Sequence, residues 1–311
     1  MHLALAAQQA SQASHHLTFF QSIVIGIFQG IAELFPVSSL GHTVLIPKLF
    51  GWNNLVTGQA ASESFYLAFI VGLHVANALA LLVFFWQDWV RIVKAFFVTL
   101  RTRRVETSTE RLAWLIVVAS IPTGILGVLL EHILRTQLAK PLSAAIFLMI
   151  NGLILYGGER VRRQSAVREL AAREGTTPEG SRRLDTLEYR EAGVIGAFQT
   201  LALIAGISRD GIVMVAGLVR GLDNEDAARF AFLLATPIIL AAGLYKIPDL
   251  MGANGNGVRG QVLAGSVVTF FVSLVSVRYL TRYFKRGNLI PFSIYCLAFG
   301  AFMVIFITAG L

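Results

Sequence analysis

The stretch "FQGIAELFPVSSLGH", residues 28–42, sets five polar side chains into a segment that is otherwise apolar. Gln29 and Glu33 are spaced i to i+4, which puts two oxygen groups on one face of a helix. Two hard oxygens of this kind suit Mg²⁺ or Ca²⁺ when phosphate and water complete the shell. Pro36 removes a backbone donor and ends that helix, and Ser38 or Ser39 is a natural cap for the next. The start of that second helix would present free amides to an anion. His42, three residues after Ser39, has the chemistry of an acid, a base or a ligand for the same pocket.

A second stretch, "AGISRDG" at 205–211, supplies the complement. Arg209 has the fork geometry for a phosphate, Ser208 offers a hydroxyl at a helix start, and Gly206 and Gly211 allow close backbone approach. Two readings stay open for the charges. A purely structural Glu33–Arg209 ion pair is one; a polyanion with a metal between the two residues explains more of the cluster. His74 and Asn77 share one face of a nearby apolar segment, as a cavity lining or as a packing pair.

The elements that must hold these residues are membrane helices. The chain has 311 residues, 55% hydrophobic and 14% charged, with a mean hydropathy of +0.67. Apolar runs of roughly 20 residues suffice to cross a bilayer, and six fit: 64–86, 112–134, 141–158, 229–248, 261–280 and 291–310. Two more regions, 19–50 and 192–220, are too long for one helix and are broken in the middle by the two polar stretches. Paired interrupted segments point to re-entrant hairpins and a midplane site. A carboxylate at that depth costs roughly 2.5–3.5 kcal/mol on insertion scales, so Glu33 requires a partner, a metal or a wet cavity.

The two broken regions are related. Shifted by 170 residues, Gly26, Phe28, Gln29, Ala32, Ser38 and Gly41 fall on Gly196, Phe198, Gln199, Ala202, Ser208 and Gly211. The fold class expected is therefore an all-α polytopic membrane protein in one integral domain. Residues 19–158 form a first repeat, 159–190 a linker and 191–311 a second repeat, each repeat being one re-entrant hairpin plus three transmembrane helices. One hairpin and three crossings per half make the repeats inverted, with the hairpin tips meeting near the bilayer centre.

Charge fixes the orientation. Segments 87–111, 159–190, 220–229 and 278–286 hold 20 of the 26 Lys and Arg residues. Those segments are cytoplasmic by the positive-inside rule, so both termini and the mouth of the first hairpin face outward. Because the basic residues lie in gaps between apolar segments, the net charge of +8 reflects topology, and no nucleic-acid partner is expected. Segment 88–104 has apolar and basic residues at helical spacing and is expected along the inner interface. Cys296 is the single cysteine, expected as a packing residue.

With "AARFAFLLATP" following the second motif, these stretches resemble the undecaprenyl pyrophosphate phosphatase family, also called bacitracin-resistance proteins. The resemblance implies a bacterial inner-membrane enzyme that hydrolyses the lipid carrier diphosphate to the monophosphate with a divalent metal, in cell-wall synthesis. Carried over by position, it implies metal and acid/base work for Glu33 with Gln29, and phosphate contact for Ser38. It further implies a catalytic hydroxyl or substrate contact for Ser39, proton transfer for His42, and phosphate clamping by Gly206, Ser208 and Arg209. The partners implied are the polyprenyl diphosphate and membrane lipids, with a homodimer left open. The family's second motif, P-G-x-S-R-S-x-x-T, falls on Ala205 to Val213, where this chain has Ala205, Asp210 and Val213 in place of proline, serine and threonine. Asp210 puts a negative charge beside Arg209 that repels phosphate unless it binds metal or turns to solvent. Serine and water remain equal candidates for the nucleophile. A transporter or lipid flippase, or a non-catalytic lipid-binding relative, fits the same hairpin layout.

Overall fold

A computed structural model describes residues 17–52, 55, 65–138, 140–172, 184–251 and 257–310. Among these there are α-helices and short 3₁₀ turns and no strand. The helices are α1 (Phe19–Ala32), α2 (Ser39–Leu49), α3 (Phe65–Phe84), α4 (Trp86–Thr102), α5 (Ser108–Leu138) and α6 (Pro141–Ala172). They continue as α7 (Tyr189–Gln199), α8 (Arg209–Val219), α9 (Asn224–Met251), α10 (Arg259–Tyr283) and α11 (Ile290–Thr308). Five helices, α5, α6, α9, α10 and α11, are long and apolar enough to cross a membrane, and α3 with α4 makes a sixth span bent by 86°. The protein is thus a multi-pass membrane protein, and each expected span coincides with a helix.

The bend falls at Phe85, where α3 hands over to α4. It turns α4, with Val90, Val93 and Phe97 exposed on one helix with its arginines, through nearly a right angle to the span. That is the geometry an interfacial helix needs. Trp114 of α5 pins it, donating its indole N–H to Thr99 at 2.9 Å.

Side-chain distribution follows from lipid as the outer solvent. Leu129, Leu263, Phe271, Val275, Ile294 and Ile305 are exposed, whereas Ser22, Asn77, Asn151, Ser273 and Ser293 are buried. Buried polar groups must find partners inside such a bundle. Ser273 accordingly donates to Asn77 at 2.5 Å, and Ser293 to the Gly152 carbonyl at 2.7 Å. Cys296 is buried and free, as a packing residue would be.

Both interrupted regions are helical hairpins. In the first, Thr18 and Gln21 form a reciprocal capping box that opens α1, and α1 closes at Glu33, earlier than Pro36 alone would stop it. Residues 33–37 form turns, and Ser38 caps α2 at the positive φ of 69°. In the second, α7 passes into a 3₁₀ turn, Thr200–Leu203, before Ser208 caps α8. Helix α1 packs on α10 of the other half, and α7 packs on α5.

The two crossings are built alike. A Cβ on Gly26 would meet the Gly265 carbonyl oxygen at 2.7 Å, and a Cβ on Gly196 would strike the Ala119 carbonyl oxygen. One turn along, Thr269 donates to the Gly26 carbonyl at 2.9 Å, and Thr123 donates to the Gly196 carbonyl at 2.8 Å. Gly265 and Thr269 stand on α10 where Ala119 and Thr123 stand on α5, at the same spacing.

The start of the linker expected at 159–190 is helical. Helix α6 runs on to Ala172, and Glu159 is fully buried. It takes hydrogen bonds from Arg162 (2.7 Å), Arg163 (3.2 Å) and the backbone N–H of Leu289 at the start of α11. A carboxylate that closes a helix N-terminus in this way belongs to the packed fold rather than to a solvated connection. Residues 173–183 of that linker lie outside the described residues.

Candidate active site

Glu33 is the centre of the site. It stands at the C-terminal end of α1 and is 8% exposed, so its charge has to be met by protein groups. One carboxylate oxygen, Oε2, accepts from Gln29 Nε2 at 2.9 Å and from the Ser39 hydroxyl at 2.5 Å, with His74 Nε2 at 3.3 Å. The other, Oε1, accepts from Arg209 Nη2 at 3.1 Å. Residues from both hairpins and from α3 are therefore gathered on one carboxylate, and Ser39, His74 and Arg209 are its partly open members.

The guanidinium of Arg209 is shared. Its Nε donates to Asp210 Oδ1 at 3.1 Å and Nη1 donates to the Ala235 carbonyl at 3.4 Å. Nε and Nη2 form one edge of the fork, so Glu33 and Asp210 lie side by side where a phosphate would bind with two parallel bonds. Asp210 does not turn to solvent: it is 1% exposed, and its Oδ2 has no hydrogen-bond partner.

The serines join the hairpins. Ser38 Oγ accepts from Gly41 N at 3.2 Å, capping α2, and from Gly206 N at 3.1 Å across the two breaks. Gly206 holds φ at 107° and its missing Cβ leaves room for the Ala144 carbonyl; a side chain there would be strained and would clash. Ser208 Oγ caps α8 through Gly211 N at 3.1 Å. Ser38 and Ser208 are each 2% exposed, and their oxygens are committed to backbone, so the hydroxyl left at the carboxylate is that of Ser39.

His42 makes its hydrogen bonds with groups other than the carboxylate. Its Nδ1 bonds back to the Ser38 carbonyl at 2.7 Å and its Nε2 to the Tyr295 hydroxyl at 2.7 Å. Its ring stacks on Tyr295 and Phe299 of α11. The imidazole at the carboxylate is His74, whose Nδ1 bonds to the Ile70 carbonyl at 2.8 Å and therefore carries a proton, leaving Nε2 toward Glu33 and Gln29. Between cavity lining and packing pair, His74 and Asn77 divide: His74 reaches the site, whereas Asn77 is buried against Ser273.

One residue at the site was not singled out from the sequence. Asn151 of α6, fully buried, donates from Nδ2 to the Pro36 carbonyl at 2.9 Å and accepts at Oδ1 from Ser208 N at 2.9 Å. Its signal was a lone amide in the apolar run "FLMINGLIL", an intramembrane polar group of the kind that needs a reason.

Gln29 donates from Nε2 to the Glu33 carboxylate and leaves its Oε1 buried without a hydrogen-bond partner; an amide oxygen and a carboxylate are the ligand types of a hard divalent cation. Among the described residues no three His, Cys, Asp or Glu side chains converge on a metal, so phosphate and water would have to complete the shell.

The family described as "Bacitracin resistance protein BacA" matches residues 22–302. An "Undecaprenyl-diphosphatase 2" of Frankia alni is 55% identical over 92% of this chain and 97% of its own length. An "Undecaprenyl-diphosphatase" of Mycolicibacterium paratuberculosis is 56% identical over 92% of this chain and 96% of its own. One of Mycobacterium avium is 55% identical over 91% and 95%.

Proposed function

The chain belongs to the bacitracin resistance protein family, and from that premise we propose that it hydrolyses undecaprenyl diphosphate to the monophosphate and orthophosphate. The lipid carrier is thereby returned to cell-wall synthesis. The observation that carries this reading is the Ser39 hydroxyl held 2.5 Å from Glu33 while Arg209 holds the other carboxylate oxygen at 3.1 Å. A nucleophile, a proton acceptor and a phosphate clamp stand in one hydrogen-bonded chain.

In this reading the terminal phosphate meets Arg209 and the amides that begin α2 and α8. Ser39 Oγ attacks its phosphorus while Glu33 takes the hydroxyl proton. The anhydride P–O bond breaks, the lipid monophosphate leaves, and water then frees orthophosphate from Ser39. Serine is preferred to water as nucleophile because its hydroxyl already donates to the carboxylate. Gln29 and Glu33 would hold Mg²⁺ or Ca²⁺, which when bound would neutralise developing phosphate charge. His42, bonded to Ser38 and Tyr295, supports the start of α2 rather than the proton transfer. The tail is assigned to an apolar groove of about 500 Å³ between α3 and α10, lined by Val71, Val75, Leu79, Leu263, Val267 and Phe271. Val75, which lines this groove, follows His74 in the chain.

The halves 19–158 and 191–311 are proposed as inverted repeats with both termini and the site facing outward. Reaction of an impermeant reagent, in intact cells, with a cysteine placed at residue 170 would contradict that orientation.

The deciding experiment is release of orthophosphate from a polyprenyl diphosphate by the purified protein, with and without divalent metal, beside Glu33→Gln and Arg209→Ala. Metal-dependent release by the wild type, lost in both variants, is expected. No release by the wild type, with lipid movement retained in vesicles, would replace the enzyme by a flippase.

A further inference from the structure

Asn151 touches neither Glu33, Ser39 nor Arg209, yet its one amide group reaches both breaks. Pro36, whose carbonyl it holds at 2.9 Å, lies three residues from Glu33 and three from Ser39. Ser208, whose N–H it holds at 2.9 Å, directly precedes Arg209. From this we infer that Asn151 is a positioning residue: its amide sets the register of the first hairpin against the second, and so the placement of Arg209 relative to Glu33 and Ser39.

The physical case is that the breaks have few other means of registering on one another. A break inside a membrane protein has no regular backbone ladder, and its carbonyl and amide groups must be satisfied by neighbouring side chains. Direct hydrogen bonds between the two breaks are Ser38 Oγ with Gly206 N and Glu33 with Arg209. The second of these has to loosen when phosphate takes the guanidinium. Asn151 is free of that conflict, because its partners are backbone atoms that do not exchange with substrate. It also stands on α6, a long helix packed against α2, α8 and α11, so the amide is itself anchored; Cys296 of α11 lies 3.4 Å from Nδ2. An asparagine presents donor and acceptor on one rigid plane, which a serine or alanine does not. The consequence is a fixed spacing at the reacting groups, where a displacement of about 1 Å costs on the order of 10²-fold in rate.

The inference rests on the hydrolase reading, and its test separates the two. Asn151→Ala should lower kcat for phosphate release by roughly 10- to 100-fold with KM for the lipid within about 3-fold, since the tail binds elsewhere. In an Arg209→Lys background the same substitution should cost less than about 3-fold, because the register no longer serves a fork. Equal losses in both backgrounds, or an unchanged kcat, would overturn the inference and leave Asn151 as a structural residue. Should Asn151→Ala not fold, Asn151→Ser carries the same cycle. A wild type that releases no phosphate overturns the hydrolase reading instead. The register is then decided by the rise in unfolding temperature that orthophosphate induces, which Asn151→Ala should reduce and Asn151→Ala in Arg209→Lys should not reduce further.

Discussion

The two hairpins share a frame and differ in what the frame presents. Gly26 and Gly196 make the same close crossing, Ser38 and Ser208 make the same cap, and Gln29 and Gln199 each leave a buried carbonyl oxygen without a partner. Against that background the divergent positions stand out: Glu33 corresponds to Leu203, Ser39 to Arg209 and Leu40 to Asp210. One hairpin has kept a carboxylate and a hydroxyl, the other a guanidinium at the residue where the first has the hydroxyl. The difference suggests a division of labour in the proposed reaction, in which the repeated glycines and serines shape the hairpins and the unrepeated Glu33, Ser39 and Arg209 are the reacting groups.

Exchange of the divergent residues is the strongest way to break this comparison. Arg209→Ser gives the second hairpin the residue that the first has there, and Glu33→Leu gives the first hairpin the residue of the second. Each should lower phosphate release by roughly 10²- to 10³-fold, the loss typical of removing one group that meets developing charge. A phosphorylated serine trapped by rapid quench in the wild type, absent in Ser39→Ala, would fix Ser39 as the attacking group. Activity near the wild-type level in Arg209→Ser would mean that the guanidinium only neutralises Glu33.

How far the sequence carried this comparison follows from what kind of contact each feature needs. The helices were legible because hydropathy over some 20 residues is a local property, and the breaks because Pro36 and the polar run interrupt it. The 170-residue correspondence also exposed the frame, since Ser38 and Ser208 cap the residues three ahead of them. The surroundings of His42 were not legible because spacing from Ser39 describes a helix face, while the contacts depend on which helix covers that face. Here α11 brings Tyr295 and Phe299 to His42, and α3 brings His74 to Glu33. The partners of Asn151 were beyond reach for the same reason: they are backbone atoms 115 and 57 residues away.

A smaller effect is expected at the glycines of the frame, and it is one of stability. Gly26→Ala and Gly196→Ala each drive a methyl group into a carbonyl of the packed helix, an overpacking that typically costs about 1–3 kcal/mol. Thermal unfolding in detergent should show both losses, with Gly196→Ala the larger because its clash is the closer. A loss at only one of the two would show that the crossings are not equivalent in energy, whatever their geometry.

Asp210 sharpens the comparison at the other divergent position. It occupies half of the Arg209 edge that a phosphate would use, so it acts as an internal competitor for the anion. Asp210→Asn removes the charge with little change of shape, and KM for the lipid diphosphate should fall by about 10-fold, equivalent to about 1.4 kcal/mol. A rise in KM together with a higher metal requirement would assign Asp210 to the cation instead, through its unpaired Oδ2.

The smallest effects concern the two glutamines, which decide whether an unpaired oxygen means a ligand. Gln29 Nε2 donates to Glu33 and Gln199 Nε2 donates to Thr123, so only the first is beside a carboxylate, although both leave Oε1 free. If Oε1 of Gln29 serves the cation, Gln29→Leu should raise the metal concentration needed for half-maximal activity by several-fold up to about 10-fold, one ligand among several being lost. Gln199→Leu should leave it unchanged within about 2-fold, since the Thr123 bond to the Gly196 carbonyl persists without it. The readout is the metal titration itself rather than the maximal rate. Equal shifts in both variants would return the free oxygens to the shared frame and leave Glu33 as the protein's one ligand to the ion.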